Sequence, residues 1–224
     1  MSFRLSIISI FVFTLSSNSY SQGSYLERGQ SGFGLGSSFT INKNIYGFDG
    51  SASYSFRGII DIGFAAGWFS LKEKIDGSNV SATAVSPFIN IHFLKQNKRI
   101  PFSIAINFLY ESDTYSSDAF KRTGLELVGK DYSFGGTIYN YTPISNTGKL
   151  LLSLGISYNV AESELTNSPG NSITSSNNFT RAELGASFFF DLSPSSFIHF
   201  TPVVGITEKL VTYNLGVGYI FTTN

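Results

Sequence analysis

The chain has no cysteine, so it builds no disulfide framework and offers no thiolate to a metal. Charge is scarce as well. Only 13% of the residues are Asp, Glu, Lys or Arg, against roughly 25% in ordinary soluble domains. The 15 basic and 15 acidic residues cancel, which removes the basic surface that a nucleic-acid partner requires. Met and Trp occur once each. No apolar run reaches the roughly 18 residues of a membrane helix. Helical membrane proteins, disulfide-stapled secreted domains and nucleic-acid binders are therefore set aside.

Plentiful instead are phenylalanine and glycine, 22 of each, within 224 residues that suit one domain. The clearest pattern lies at the end. From Lys209 to Phe221, Val211, Tyr213, Leu215, Val217, Tyr219 and Phe221 alternate with Thr212, Asn214, Gly216 and Gly218. A period of two gives a strand one apolar face and one small or polar face. The segment is long enough to cross a bilayer as a tilted strand, which takes roughly 9–11 residues.

The N-terminus reads as a secretory signal, Met1 to Ser21. Arg4 is its charged start, Leu5 to Leu15 its apolar stretch, and Ser19-Tyr20-Ser21 its cleavage site before Gln22. The alternative is an uncleaved anchor, disfavoured by the polar run Ser16 to Ser21. Residues 22–224 then form a single domain, opening with a polar lead-in from Gln22 to Gln30.

Alternation predicts nine further strands. They run near Gly32 to Ile41 and Phe48 to Phe56, then through Ile60 to Trp68, Val85 to Phe93, Phe102 to Tyr110, Leu125 to Ile138, Leu150 to Tyr158, Ala182 to Phe190 and Ile198 to Ile206. The sixth is irregular. Leu125 and Leu127 have one parity, and Tyr132, Phe134 and Ile138 the other. This predicts either a bulge near Gly129-Lys130 or a start at Lys130. Pro87 and Pro202 fall inside strands and predict local bulges or shifted limits. Ser70 to Asn79, Glu111 to Arg122 and Ala161 to Asn178 are expected to be long polar loops, the last the longest. The intervening connections are short. Trp68, Tyr110, Tyr132 and Tyr158 gather at the long-loop ends, and Phe56, Phe93, Phe102, Phe190 and Tyr219 at the other, as two aromatic girdles.

The fold class expected is all-β: a transmembrane antiparallel up-and-down barrel of about ten strands, with eight as an alternative, after a cleaved signal peptide. A soluble sandwich or lipocalin with the aromatic rows packed inward is the competing reading. The mature chain resembles the small bacterial outer-membrane β-barrel proteins, OmpA-like barrels among them. Its C-terminal aromatic strand resembles their closing strand, although Thr222 to Asn224 follow the aromatic. Glutamine after the cleavage site resembles exported proteins of the Bacteroidota. The resemblance implies residence in the bacterial outer membrane, and the even strand count with alternating short and long connections places both termini in the periplasm. The resemblance also implies insertion by the barrel assembly machinery and contact with outer-membrane lipid, while the Ser/Asn-rich stretch Ala161 to Asn178 is the place expected to meet an extracellular ligand.

Inward parity places Asp49, Asp61, Arg181 and Glu183 in the lumen, where they form a candidate charge cluster. His92 and His199 are also inward, but with no carboxylate or cysteine close in sequence they are weak metal or catalytic candidates. No cofactor, metal or catalytic site is expected. The function expected is an envelope or surface-interaction role. A narrow channel for small or hydrophobic solutes is the alternative, and an outer-membrane lipid hydrolase a more distant one.

Overall fold

The structure, a computed structural model, describes residues 24–167 and 170–223. Met1 to Ser21, expected from the sequence to be a signal segment, lies outside them. The described chain forms β1 (Ser31–Asn42), β2 (Ile45–Phe56), β3 (Ile60–Leu71), β4 (Ser81–Leu94) and β5 (Ser103–Ser116). A short helix α1 (Asp118–Thr123) follows, then β6 (Leu125–Pro143), β7 (Gly148–Asn167), β8 (Ser172–Ser193), β9 (Ser196–Ile206) and β10 (Val211–Thr223). Each strand pairs antiparallel with the next, and β1 pairs with β10 from Ser31↔Thr223 to Asn42↔Thr212, closing a ten-strand ring. The eight-strand alternative falls away.

The wall faces as alternation requires. Phe48, Phe56, Ile62, Leu154 and Leu184 stand outward and exposed, while Asp49, Ser55, Asp61, Ser153 and Gly185 face in. Ile62 and Leu184 are each 63% exposed, which rules out the sandwich with its apolar rows packed inward. An apolar surface of that extent calls for hydrocarbon around it.

Local chemistry makes the turns. Arg57 and Gly58 both adopt positive φ, 54° and 62°, the geometry of a two-residue hairpin turn, and the Ile59 amide donates to the Phe56 carbonyl at 3.0 Å. Helix α1 is capped by the Ser117 hydroxyl, which accepts from the Phe120 amide at 3.0 Å, and ends at Gly124 in the left-handed region.

Several expectations need correction. Strand β6 is continuous, and its register with β5 and β7 runs without a bulge from end to end. Leu125 and Leu127 share the inward face because they stand beneath the far rim, where the apolar side turns inside. Glu111 to Ser116 continues β5, and only the remainder becomes α1. The stretch from Ala161 to Asn178 is built into paired strands, β7 to Asn167 and β8 from Ser172. Neither proline makes a bulge. Pro87 keeps its place opposite Phe64 of β3 and interrupts the β4–β5 ladder only between Val85↔Ser112 and Phe88↔Leu109, with register preserved. Pro202 does the same, keeping Leu215 as its neighbour while the β8–β9 ladder opens between Gly185↔Val203 and Phe188↔Phe200. A missing N–H weakens one seam only, so the ring closes around it. The register shifts lie elsewhere, at His92/Leu94 and Asp191/Ser193.

Inward glycines let side chains of neighbouring strands fill the interior. A Cβ on Gly47 would lie 2.5 Å from Phe69 Cβ and 2.6 Å from the Trp68 carbonyl oxygen, whereas one on outward Gly50 meets nothing nearer than 3.8 Å. Gly47→Ala is therefore expected to destabilise the barrel by about 1–3 kcal/mol and Gly50→Ala to leave it within about 0.5 kcal/mol. Urea midpoints of the folded band on unboiled gels will measure both.

Candidate functional site

The interior is built in layers. At the end carrying the termini, the segment expected to be a lead-in is tucked into the mouth. Leu26 is buried, and the Tyr25 ring packs on Phe189 at 4.1 Å and His199 at 5.5 Å between centroids. Phe197, Leu151, Ala105 and Tyr139 complete this plug. The segment is held from the turns. Lys95 Nζ donates to the Leu26 carbonyl at 3.1 Å, and the Gly29 amide donates to the Arg57 carbonyl at 2.9 Å.

Beside the plug, His92 lies between Tyr139 and Asp61. Its Nδ1 is 2.8 Å from the Tyr139 hydroxyl and its Nε2 3.0 Å from Asp61 Oδ2. Both His92 and Asp61 side chains are fully enclosed. The carboxylate that sequence spacing did not supply comes from the adjacent strand, since β3 and β4 pair Asp61 with Asn90. His199 is 3.1 Å from the Thr201 hydroxyl.

Above the plug is a cavity of 140 Å³ lined by Asn90, Asn107, Thr137, Ser153 and Ser157 among others. Asn107 donates to Asn90 at 2.7 Å and accepts from Thr137 at 2.9 Å, so part of the lining is locked. The remaining space has room for several waters at roughly 10–15 Å³ each.

Next comes an acidic belt. Arg181 Nε pairs with Glu183 Oε1 at 2.8 Å. Asp49 accepts from the Ser38 hydroxyl, and Ser38 in turn accepts from Asn214 at 3.1 Å. Three further acids belong here: Glu111, Asp113 and Asp131, all buried, with Glu111 directly across from Asp131. Ser86 donates to Glu111 at 2.8 Å, and the Arg181 charge reaches Asp131. Of the four charges named from sequence, Asp49, Arg181 and Glu183 thus lie in the belt, whereas Asp61 sits near the plug with His92. Glu111 and Asp113 were missed because they were read as loop. Their parity with Ser103, Ala105 and Asn107 was the signal.

At the far mouth the interior turns apolar. Ile45, Phe69, Leu71, Val80, Tyr115, Phe120 of α1 and Leu127 form a buried cap, with Leu125 and Leu165 packed against it. Both mouths are thus filled by side chains. Among the described residues no cluster of three His, Cys, Asp or Glu has the geometry of a metal site.

A closed antiparallel ring with an apolar exterior and a polar, filled interior defines the class: the chain has the fold of a bacterial outer-membrane β-barrel. Solved structures agree. The translocator domain of the autotransporter NalP from Neisseria meningitidis aligns over 88% of this chain and 89% of its own, with a TM-score of 0.56 at 11% identity. Neisserial surface protein A covers 85% of this chain and 96% of its own, at 12% identity and a TM-score of 0.43. Ail, the attachment invasion locus protein of Yersinia pestis, covers 88% and 100%, at 15% identity and 0.37. Only the first score is high enough to bear on architecture, and at these identities the likeness is one of fold. No family model and no curated protein matches the chain.

Two outcomes follow from these layers. Arg181→Met leaves half-buried Glu183 and buried Asp131 without the cation that Arg181 supplies and is expected to destabilise the barrel by about 3 kcal/mol, most of it recovered in Arg181→Met/Glu183→Gln. Urea titration of both variants will measure this. At the plug, burial holds the Lys95 amine down to about 8 from the usual 10.5, with Asp61 opposing. Between those values the unfolded chain binds more protons than the folded one, so stability rises with pH. Relative to Lys95→Met, the native chain is expected to gain about 2 kcal/mol between pH 7 and 10.

Proposed function

We propose that this barrel is an anchor in the outer membrane, with both termini in the periplasm, that presents its tall far rim to the outside and serves surface interaction without catalysis. The observation that carries this reading is the filling of both mouths, by Tyr25 and its neighbours at one end and by the cap around Phe69 and Phe120 at the other. A wall so occupied is better suited to holding something up than to letting something through. The rim supports it too. Strands β7 and β8 continue past Tyr158 and Ala182 with polar outward residues such as Glu164, Thr174 and Asn178, so this hairpin stands clear of the lipid. Outer-membrane lipid, the assembly machinery and a ligand at the rim are its partners under this proposal.

A second reading, a narrow channel for small solutes, draws on the 140 Å³ cavity. Conduction would require both the plug and the cap to move. The linked Tyr139, His92 and Asp61 have a relay geometry but are enclosed, which favours a structural role over lipid hydrolysis.

The absence of cysteine makes a clean test. Ser78→Cys is expected to react with an impermeant maleimide on intact cells, and Lys98→Cys only after permeabilisation; the reverse pattern would overturn the orientation. In planar bilayers the heat-modifiable barrel is expected to stay silent, and step currents would hand the assignment to the channel reading.

A further inference from the structure

The hairpin of β7 and β8 ends in an open edge. Pairing of β8 with β7 is unbroken from Thr166↔Ser172 to Gly148↔Phe190. Pairing of β8 with β9 begins only at Ala182↔Ile206, where β9 ends. From Ser172 to Thr180, β8 is therefore bonded on one side, and among the described residues no strand covers its other side. Alternate peptide groups along that stretch direct N–H and C=O outward into the medium.

Proteins blunt such edges with lysine, proline, bulges or short length. None of these is present here. Ser172-Ile-Thr-Ser-Ser-Asn-Asn-Phe-Thr180 has no charge and no proline, and its register with β7 has no bulge. Its side chains divide by face. Ile173 and Phe179 lie on the concave side over the mouth, with Ile173 53% exposed, while Thr174, Ser176 and Asn178 lie on the convex side. One strand inward on that convex side stand Glu162 and Glu164, opposite Ser176 and Thr174.

We propose that this edge takes an extended segment of another polypeptide by β-strand addition, the segment presenting apolar residues on one face and basic residues on the other. The proposal rests on the outward orientation argued above. The occupant follows from what surrounds the edge. Only a peptide backbone can match a row of alternating donors and acceptors. Below Ala182 the place of a ninth strand is already filled by β9, so the incoming segment has to arrive from outside and stop there. A second copy in the same membrane is excluded on that ground, because its own β8 would run on down into the space of β9. Apolar residues of the segment meet Ile173 and Phe179, and lysine or arginine on its other face reaches Glu162 and Glu164.

The probe is a synthetic peptide of the β7 sequence Val160 to Asn167 with lysine in place of Glu162 and Glu164, added to the full barrel in detergent micelles. Binding is read by fluorescence anisotropy and by amide hydrogen exchange. Exchange at alternate amides within Ser172 to Thr180 is expected to slow about tenfold, with no change at the lipid-facing strands. N-methylation of the peptide along one edge is expected to weaken binding at least about tenfold, and methylation along the other edge to leave it intact. Asn177→Lys, which places a charge beside the edge, is expected to weaken binding similarly while the barrel stays heat-modifiable. Absence of binding by a folded barrel overturns the proposal, as does binding indifferent to methylation. The same amides protected without peptide, in a concentration-dependent dimer, would assign the edge to a copy facing from an opposing membrane and overturn it too. A conducting barrel would defeat the anchor reading without touching this result.

Discussion

Hydrocarbon supplies no hydrogen bonds, so a strand that crosses it must find every partner in its neighbours. Ring closure by β1 and β10 meets that demand, with twelve residue pairs between Ser31↔Thr223 and Asn42↔Thr212. The rest of the architecture depends on it. Because the ladder never ends, the outer face is free to be apolar and the inner face polar without leaving an edge in the lipid. The two prolines show the margin. Each opens one seam for two residues and keeps its pairing on the opposite side, so the break stays local.

The same ring sets what the interior must do. Ten strands leave a narrow lumen, and small inward residues alone would leave it empty. It is filled from three directions. The N-terminal segment brings Tyr25 and Leu26 into one mouth, α1 and the β3–β4 connection bring Phe120 and Val80 into the other, and polar side chains bond strand to strand in the middle. Buried carboxylates such as Asp61 and Glu111 are tolerable there because each has a partner on the adjacent strand, the His92 imidazole for Asp61 and the Ser86 hydroxyl for Glu111.

Alternation exposed the barrel in the sequence because lipid enforces it. Wherever a strand lies in the bilayer band, the outward residue must be apolar, and the parity of Ile104, Ile106 and Phe108 or of Leu152, Leu154 and Ile156 is plain. Beyond the band that constraint disappears and then inverts. Leu125, Leu127 and Tyr115 turn apolar groups inward beneath the cap, while Glu126, Lys130 and Thr114 face water. Read with the bilayer rule, these segments looked like a parity break and polar loops. In fact they are the upper ends of tall strands. The Asp61–His92 pair was hidden for a different reason: 31 positions separate its members, and only strand register brings them together.

Under the proposed function, that inversion also divides anchoring from recognition. Within the band, the backbone is committed to its ladder apart from the two proline seams, and every outward side chain answers to lipid, which leaves little freedom for selective contact. Above it, β5 to β8 are relieved of both duties, and the open side of β8 carries unspent hydrogen-bonding capacity in a setting where water keeps it harmless until a better partner arrives. Under the proposed anchor function, an interior filled at both mouths leaves specificity to what protrudes. β7 and β8 run 20 and 22 residues against 11 in β9, and on that reading the short strands close the ring while the long ones reach outward from it.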